Sequence, residues 1–552
     1  MYKNNFQMSF EDFFLPFEGH LSESNRWIRL SKIIPWKSFE KTYCKQFKSK
    51  QGNPAKSARM ALGCLIIKER LRCSDEETVQ QIIENPYLQC FLGFKSYQTK
   101  PPLEASTLVH FRKRISPEMI ASINEQVIAT IQEAESNLLT SPSVTKKKRT
   151  KLSKDHEDAS TDSFSTETEN TEGQESSLNK DLCSNEKTSQ NQGKLLVDAT
   201  CAPADIAYPT DLHLLNESRE KTEKIIDILY FPLSKTIKKP RTYRRKARKE
   251  YLGVAKKKKA SSSTIHHTIG QQLRYVRRNL KSIDDLIVKG ADLSHLSKKN
   301  YRDLLVISEV YRQQEEMHRT QVHSIEGRIV SISQPHVRPI VRGKASAKTE
   351  FGAKLSASLT GGFFFLDKVS WEAFNEAKDL IEQIKSYKKR TGFYPQSVHA
   401  DKIYRTRENR KFCKEHSIRL SGPPLGRPPL NSKKNKEEKK QVRQDEVDRI
   451  PIEGKFGQAK RRFSLSRIMA KTAQTSLSTI SMIFLVVNLE KWIQSIFYFL
   501  FFMTTQWNKV IFSSQKRSYS PNFIKNRKSR NCFTLKFGVG SPEKKLIPLG
   551  FY

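Results

Sequence analysis

The stretch KLLVDAT (Lys194–Thr200) decides how the chain is organised. Three apolar residues, Leu195, Leu196 and Val197, run into a carboxylate, Asp198, and read as a short core strand ending in an acid. Residues 141–193, just before it, are dominated by Ser, Thr, Asn, Glu and Lys and nearly lack large apolar side chains. Such a segment buries too little surface to offset its ordering entropy, so a disordered linker is expected there. The linker separates a helical N-terminal part, 1–135, from a second ordered region, 194–490, with an aromatic helix and basic tail over 491–552.

Charge sets the class of partner. The 552 residues hold 98 Lys plus Arg against 58 Asp plus Glu, a formal charge of +40. A charge of that size attracts polyanions at long range, and nucleic acid comes first among them. A membrane is not expected: the most apolar region, Thr479–Thr505, is interrupted by Asn488, Glu490 and Lys491. Its unbroken piece, IFYFLFFM (Ile496–Met503), is far short of the roughly 20 residues of a spanning helix. The N-terminus, MYKNNFQMSFEDFFLPF, has acids and no basic-then-apolar signal pattern. The eight cysteines form no C-x-x-C pair, which argues against a zinc ribbon and a secreted disulfide framework. A soluble, cytoplasmic, nucleoid-associated protein is the expectation.

Within 1–135, Met60, Leu62, Leu65, Ile66 and Leu71 recur at helical spacing. Ser74 followed by Asp75, Glu76 and Glu77 reads as a helix cap, and Asn85-Pro86 as an interruption. In EASTLVHFRKRIS (Glu104–Ser116), Ser106 or Thr107 is placed to cap a helix bearing Arg112, Lys113 and Arg114. Short helices ending in a basic one suit a helix-turn-helix-like DNA module, or a plain bundle with a solvated basic face.

After the opening strand the chain is helical and basic over about 212–326. KKPRTYRRKARKEYLGVAKKKK (Lys238–Lys259) is its densest positive run and interleaves Tyr243 and Tyr251. That density favours phosphate contact through Lys238, Lys239, Arg241, Arg244 and Arg245 over a merely solvated face. Strands are expected at GRIVSI (Gly327–Ile332) and in a hairpin, Phe351–Val369, turning at Thr360-Gly361-Gly362. Trp371–Arg390 has helical period, with Phe374, Ala377, Leu380, Ile381 and Ile384 on one stripe and Gly392 to stop it. QSVHADKIY (Gln396–Tyr404) reads as a strand ending in Asp401. A helix over Lys411–His416, a strand at Ile418–Gly422 and a basic Pro/Gly-rich loop containing Arg427 lead to RIPIEGKFGQAKRR (Arg449–Arg462).

Metal-dependent phosphodiester chemistry asks for this order. Two Mg²⁺ ions about 4 Å apart, or Mn²⁺ in their place, need anionic oxygens on rigid supports. Asp198 and Asp401 at strand ends and Glu453 on a packed helix supply them, whereas a His/Cys set would select zinc. On a helix beginning near Ile452, Ile452, Phe456, Ala459 and Phe463 share the packed face, with Glu453, Gly457, Lys460 and Arg467 beside it. Lys460 and Arg467 are then set for DNA phosphates, and Gly457 leaves room between them. Glycine four residues after Glu453 rules out a forward i,i+4 bridge and leaves Arg449 as the local partner. Competing acids are less well placed: Asp205 and Asp211 in a Pro-punctuated loop, Asp367 in the hairpin arm, and Asp445, Glu446 and Asp448 as capping acids ahead of the helix. His399 has no assigned role, and Arg427 reads as loop surface or DNA contact.

These stretches resemble the DDE transposases of bacterial insertion sequences, in the superfamily with a helical N-terminal domain. The resemblance is carried by LLVDATCAPADIAYPTDLHLLNESRE (Leu195–Glu220), SISQPHVRPIVRGKASAKTEFGAKL (Ser331–Leu355), VHADKIYRTRENRKF (Val398–Phe412), RIPIEGKFGQAKRR and EASTLVHFRKRIS. Of the group's Tyr, Arg, Glu, Lys signature, Arg449, Glu453 and Lys460 match, and Glu446 stands in the place of Tyr. The resemblance implies an α+β chain: a helical DNA-binding domain and an RNase H-like α/β catalytic core with a basic helical insertion. It also implies Asp198, Asp401 and Glu453 as metal ligands. Double-stranded DNA (terminal inverted repeats and target) would be the substrate, bound by a homo-oligomer. A non-catalytic DNA-binding repressor is the alternative.

Overall fold

A computed structural model describes residues 15, 19–47, 54–140, 191–341, 349–422 and 432–515, without the side chains of 137–140, 432–435 and 497–515. The expected linker (all but its last residues), Arg427 and the end of the basic tail lie outside the described residues.

The N-terminal part is helical: α1 (Arg26–Ile33), α2 (Trp36–Cys44), α3 (Ala58–Leu71), α4 (Asp75–Glu84), α5 (Pro86–Phe91), α6 (Ala105–Arg114) and α7 (Pro117–Thr140). Ser74 caps α4 as expected, its hydroxyl accepting the Glu77 N–H at 3.0 Å. Asn85 ends α4 and caps α5, accepting the Tyr87 N–H at 3.0 Å, with Pro86 in the first turn where no N–H is needed. The expected cap of α6 is corrected. Buried Leu103 anchors the chain so that the helix starts at Ala105, which leaves Ser106 and Thr107 inside it and Glu104 at the cap position without a capping bond.

A six-stranded sheet forms the centre of the second region: β1 (Lys194–Pro203), β2 (Arg338–Val341), β3 (Thr349–Thr360), β4 (Phe363–Ser370), β5 (Ser397–His399) and β6 (Arg419–Leu420). β3 lies antiparallel to β1, from Leu195↔Thr360 to Pro203↔Gly352, and its other side is shared by β2 and β4. β5 runs parallel to β1, and β6 parallel to β5. The β3–β4 hairpin turns where expected, through Gly361 and Gly362 at φ +57 and +79. At Gly352 a Cβ would fall 2.1 Å from the Ala202 carbonyl oxygen, so this strand approach admits only glycine.

The strand expected at Gly327–Ile332 does not form; the paired strand is β2. Ile329 and Ile332 are instead buried against the helical insertion, and the Ile329 N–H goes to the Gln313 side chain at 2.9 Å. That insertion, between β1 and β2, comprises α8 (Asp211–Tyr230), α9 (Arg244–Ala255), α10 (Ser262–Val288) and α11 (Lys298–Thr320). It has its own apolar core of Leu214, Leu215, Leu273, Val276, Ile307 and Val310.

One sheet face packs Leu195 and Val197 against α12 (Leu380–Thr391) and α13 (Arg407–Glu415). The helix expected from Trp371 starts later: a 3-10 turn, Glu376–Asp379, precedes α12, and Asn375 caps that turn. Gly392, at φ +85, stops α12 as expected. The opposite face packs Leu196, Leu355, Ala357 and Phe364 against Ile452, Phe456, Ala459 and Phe463, the stripe expected of α14 (Ser432–Arg462).

α14 does not begin near Ile452 but runs through Pro451. The missing N–H falls on an exposed side, next to exposed Val447, where water can satisfy the freed carbonyl. Asp445, Glu446 and Asp448 are therefore interior helical residues and not caps.

α15 (Ala473–Gln515) contains the interrupted apolar segment. Its Ala473–Ile496 part is long and apolar enough to cross a membrane, yet 83% of that window is buried within the protein. Residues through Gln494 form one compact unit, in which the helical N-terminal core and the α14-side sheet core are continuous. The polar interruptions tie that core together. Asn488 accepts the Phe364 N–H and donates to the Phe364 carbonyl and to Asn124 of α7, at 2.8, 2.8 and 2.9 Å. Glu490 accepts from Arg70 of α3 at 3.0 Å and from Arg462 of α14 at 3.4 Å.

Asn488→Ala would leave a buried strand N–H and C=O unpaired, at about 1–3 kcal/mol each. We expect a loss of about 3 kcal/mol in urea unfolding; an unchanged midpoint would contradict the bridging role.

Candidate active site

Strand alternation sets the first acid. Leu195 and Val197 point to the α12 side, so Leu196 and Asp198 point to the α14 side. Asp198 accepts its neighbour's N–H, from Ala199, at 2.8 Å. Burial pushes its carboxyl up to about 6, opposed by the Ala199 N–H and Arg449 and reinforced by Glu376 and Glu453. Asp401 stands two residues beyond β5, not at its last residue, and caps the 3-10 turn Lys402–Tyr404 by accepting the Lys402 N–H at 2.7 Å. Glu453 lies at the edge of the packed stripe of α14, half exposed.

Arg449 joins the acids. Its guanidinium is 2.8 Å from Glu453 and 3.6 Å from Asp401, and its charge acts on Asp198. Glu453 therefore does form an i,i+4 ion pair, in the backward direction. At this exposure such a pair contributes only about 0–1 kcal/mol, so its significance is where it places the charges. Among the described residues no group of three or more His, Cys, Asp or Glu is drawn together closely enough to hold an ion in this arrangement.

Another acid, which the sequence reading did not single out, lies near the Asp401 turn. Glu376 opens the 3-10 turn before α12, and this turn packs against the one Asp401 caps. Its carboxylate is 2.9 Å from the ammonium of Lys354 on β3, with both side chains largely buried. Tyr404 is fully buried nearby, its phenol pushed up first by burial, then by the charges of Glu376 and Asp198. The signal was available: Glu376 adjoins Ala377 at the edge of a buried stripe, as Glu453 adjoins Ile452. A Cβ at Gly457 would meet only the flexible guanidinium of Arg461, 3.3 Å away, so the folded chain itself does not demand glycine there.

Two stretches match family models. Residues 398–490 match one described as "Transposase DDE domain", and residues 15–114 match "Transposase domain (DUF772)". These matches support a DDE-type insertion-sequence transposase. It is also similar to the "Uncharacterized protein ORF8 in nfe locus" of Rhizobium meliloti, 36% identical over 107 residues, which are 19% of this chain and 50% of that protein. The chain thus spans about half the length of that curated relative. No solved structure gives a significant match. The DDE match contains Asp401, Arg449, Glu453 and Lys460, while Asp198 lies ahead of it.

The transposase's expected DNA-contacting cations divide into two sets. Arg112 is turned inward, buried, and holds Asp75 through two bonds of 2.9 and 2.5 Å; it braces α6 against α4. Arg114 lies over the Phe47 ring at 5.0 Å, while Lys113 faces solvent. Lys239 and Arg244 are taken by Asp227, at 2.8 and 2.7 Å, and Arg241 covers the Tyr243 ring. Arg467 lies past the end of α14, paired with Asp205 at 2.7 Å, so helical spacing does not carry it to the acids. Lys460 is half-buried on α14. Lys238 and Arg245 remain exposed. Sequence spacing also missed a cleft of ≈ 270 Å³ on α9 and α10 lined by Tyr243, Lys246, Arg274 and Arg278. His399, the last residue of β5, is buried beside Asp445 at 3.8 Å and Asp448 at 3.9 Å, and burial holds it below the ordinary imidazole range.

Asp198 binds its proton more tightly folded than unfolded, so its contribution to stability falls as pH rises from the ordinary carboxylate range through about 6. Asp198→Asn should therefore stabilise the protein at pH 7.5, by about 1–3 kcal/mol, with the gain vanishing near pH 4. Thermal unfolding of both proteins across that range checks this. A gain independent of pH would contradict it.

Proposed function

We propose that this chain binds the terminal inverted repeats of its own insertion sequence and catalyses divalent-metal-dependent cleavage and strand transfer of DNA. The observation that carries this is the gathering of Asp198, Asp401 and Glu453, from a strand, a strand-following turn and a helix, around the single guanidinium of Arg449. The sheet order supports an RNase H-like core: β4, β3 and β1 antiparallel, then β5 and β6 parallel to β1. In such a core the acids lie on β1, after β5 and on the helix packed against both.

The donor set fits a hard divalent cation. It consists of carboxylates alone, which suits a hard cation over a softer one. Asp198, Asp401 and Glu453 would hold two Mg²⁺ ions, with Mn²⁺ as a substitute. Bound there, the ions would activate the attacking water or 3′-hydroxyl and neutralise the leaving oxygen. The protein's own residues do the positioning. The Ala199 and Lys402 N–H groups fix the Asp198 and Asp401 carboxylates. Arg449 is partly exposed on one flank, where its guanidinium can turn from the acids to a DNA phosphate.

Duplex DNA would be held electrostatically by exposed cations of the insertion and the N-terminal helices, Arg245, Lys238 and Lys113 among them. Two element ends require two such sites, so we propose a homo-oligomer assembled on DNA, in the cytoplasm at the nucleoid, without a membrane partner.

Asp401→Asn should shift end-containing DNA in a gel as the native protein does and lose Mg²⁺-dependent nicking by at least a hundredfold. Undiminished nicking by this variant would remove the assignment. A native protein that shifts end DNA without ever nicking it would instead be a non-catalytic binder. For the cleft on the insertion, Lys246→Ala with Arg278→Ala should weaken DNA binding and reduce the slope of log affinity against log salt by about 1–2. An unaltered slope would place the DNA elsewhere.

A further inference from the structure

We infer that the cleft between the N-terminal helices and the chain leaving α14 receives one unpaired guanine of the DNA, whose N1–H and N2–H the Glu69 carboxylate accepts. The inference rests on the DNA-binding function proposed above and extends it to a base-specific contact.

The cleft measures ≈ 460 Å³, within the range of about 300–1,000 Å³ usual for small-ligand sites. One wall is the end of α3 and the start of α4, with Arg112 of α6; the other runs from Ser464 to Ala470 and includes Thr479 of α15. The walls fall in the two stretches that match separate transposase models, so the cleft exists only where these pack together.

Glu69 of α3 lines this cleft and is only 4% exposed, yet among the described residues its carboxylate has no hydrogen-bond or ion-pair partner. The plain structural role would be a counter-charge for Lys68 and Arg112. Both are already taken by Asp75, at 3.0 and 2.9 Å, and Lys68 also donates to the Cys73 carbonyl at 2.8 Å. An acceptor buried without a donor works against the fold, and a ligand that brings donors removes that cost.

The remainder of the cleft suits a nucleotide. Arg72 and Arg467 stand exposed on its opposite walls, where guanidinium groups can meet a phosphate. Met469, 60% exposed, offers a polarizable apolar side chain to the face of a base. Arg72 and Ser464 both adopt left-handed backbone, at φ +59 and +62, which glycine takes more readily. In both places the chain instead has a side chain that lines the cleft.

The donor pattern selects the base. Guanine presents two adjacent donors, N1–H and N2–H, to the two oxygens of a carboxylate, much as a guanidinium does. Adenine and cytosine set a ring-nitrogen acceptor beside the amino group, and thymine has one N–H between two carbonyls. Because Glu69 is buried, a base must leave the stack to reach it.

The test uses the full-length protein at pH 8, above the value of about 7 to which burial pushes the Glu69 carboxyl, so that the group is ionised. Fluorescence anisotropy follows a short labelled strand of thymidines and the same strand with one central guanine. The native protein should bind the guanine strand about tenfold tighter or more. The ratio of the two affinities is the readout, so a general change in DNA binding cancels. Glu69→Gln, whose carboxamide accepts on one atom only, should bring the ratio down to about two or less. Hypoxanthine in place of guanine removes the N2 amino group and should lower the native ratio likewise. A native ratio near one, or an undiminished ratio in Glu69→Gln, overturns the inference; Mg²⁺-dependent nicking of end DNA by the same native protein would leave the catalytic reading standing. A native protein that binds neither strand nor end DNA removes both. Should Glu69→Gln not fold, the hypoxanthine strand decides: affinity equal to that of the guanine strand overturns the inference.

Discussion

Asn488 sits on a helix whose surroundings are almost wholly apolar, and it pairs with both backbone groups of Phe364 on the strand β4. An edge strand buried under a helix has N–H and C=O groups that must be answered somewhere. A carboxamide is the side chain that can donate and accept at one residue. This single constraint sets the register of α15 on the sheet. Glu490, two residues on, then reaches Arg70 and Arg462. The polar residues that interrupt the apolar segment are thus what joins the N-terminal helices, the sheet and α14 into one core. Glu453 owes its position to that core, because α14 is held between β1 and α15 by Phe364, Phe456 and Phe484, whose rings stack edge-on and face-on at 5.0 and 4.3 Å.

Much of this was legible. The strand at Leu195–Asp198, the glycine turn of the hairpin and the Ile452, Phe456, Ala459, Phe463 stripe each follow from local period and turn chemistry and are present, but the strand does not end at Asp198: pairing with β3 carries it on to Pro203 and leaves the acid mid-strand. What was illegible depends on tertiary partners. GRIVSI has strand composition, but its isoleucines are claimed by the helical insertion and its N–H by Gln313. Pro451 looked like a helix start, because nothing in the sequence reveals that the freed carbonyl faces water. Arg112 looked like a DNA contact, because its partner Asp75 lies far back in the chain, on another helix. A basic residue on an amphipathic helix carries no mark of which direction it faces.

The acids are a sharper case. The sequence singles out Asp198 and Asp401 as acids that follow apolar runs, and Glu453 as an acid among cations.

Internal counter-ions also resolve an apparent conflict between a strongly basic protein and an acidic centre. Carboxylates exposed on a protein of charge +40 would collect its own cations, and Asp401 and Glu453 hold Arg449. Those same cations have a stronger alternative partner in a DNA phosphate, because guanidinium–phosphate contacts are bidentate and charge-assisted. On the proposed function, DNA brought to the surface would compete Arg449 away from Glu453 and Asp401. The acids would then be left negative as the substrate's own phosphate, and any divalent ion it carries, arrives. Affinity for DNA and affinity for the cation would be linked through one shared side chain. Such linkage is reciprocal: whatever free energy DNA contributes to loading the ion, the ion returns to holding the DNA.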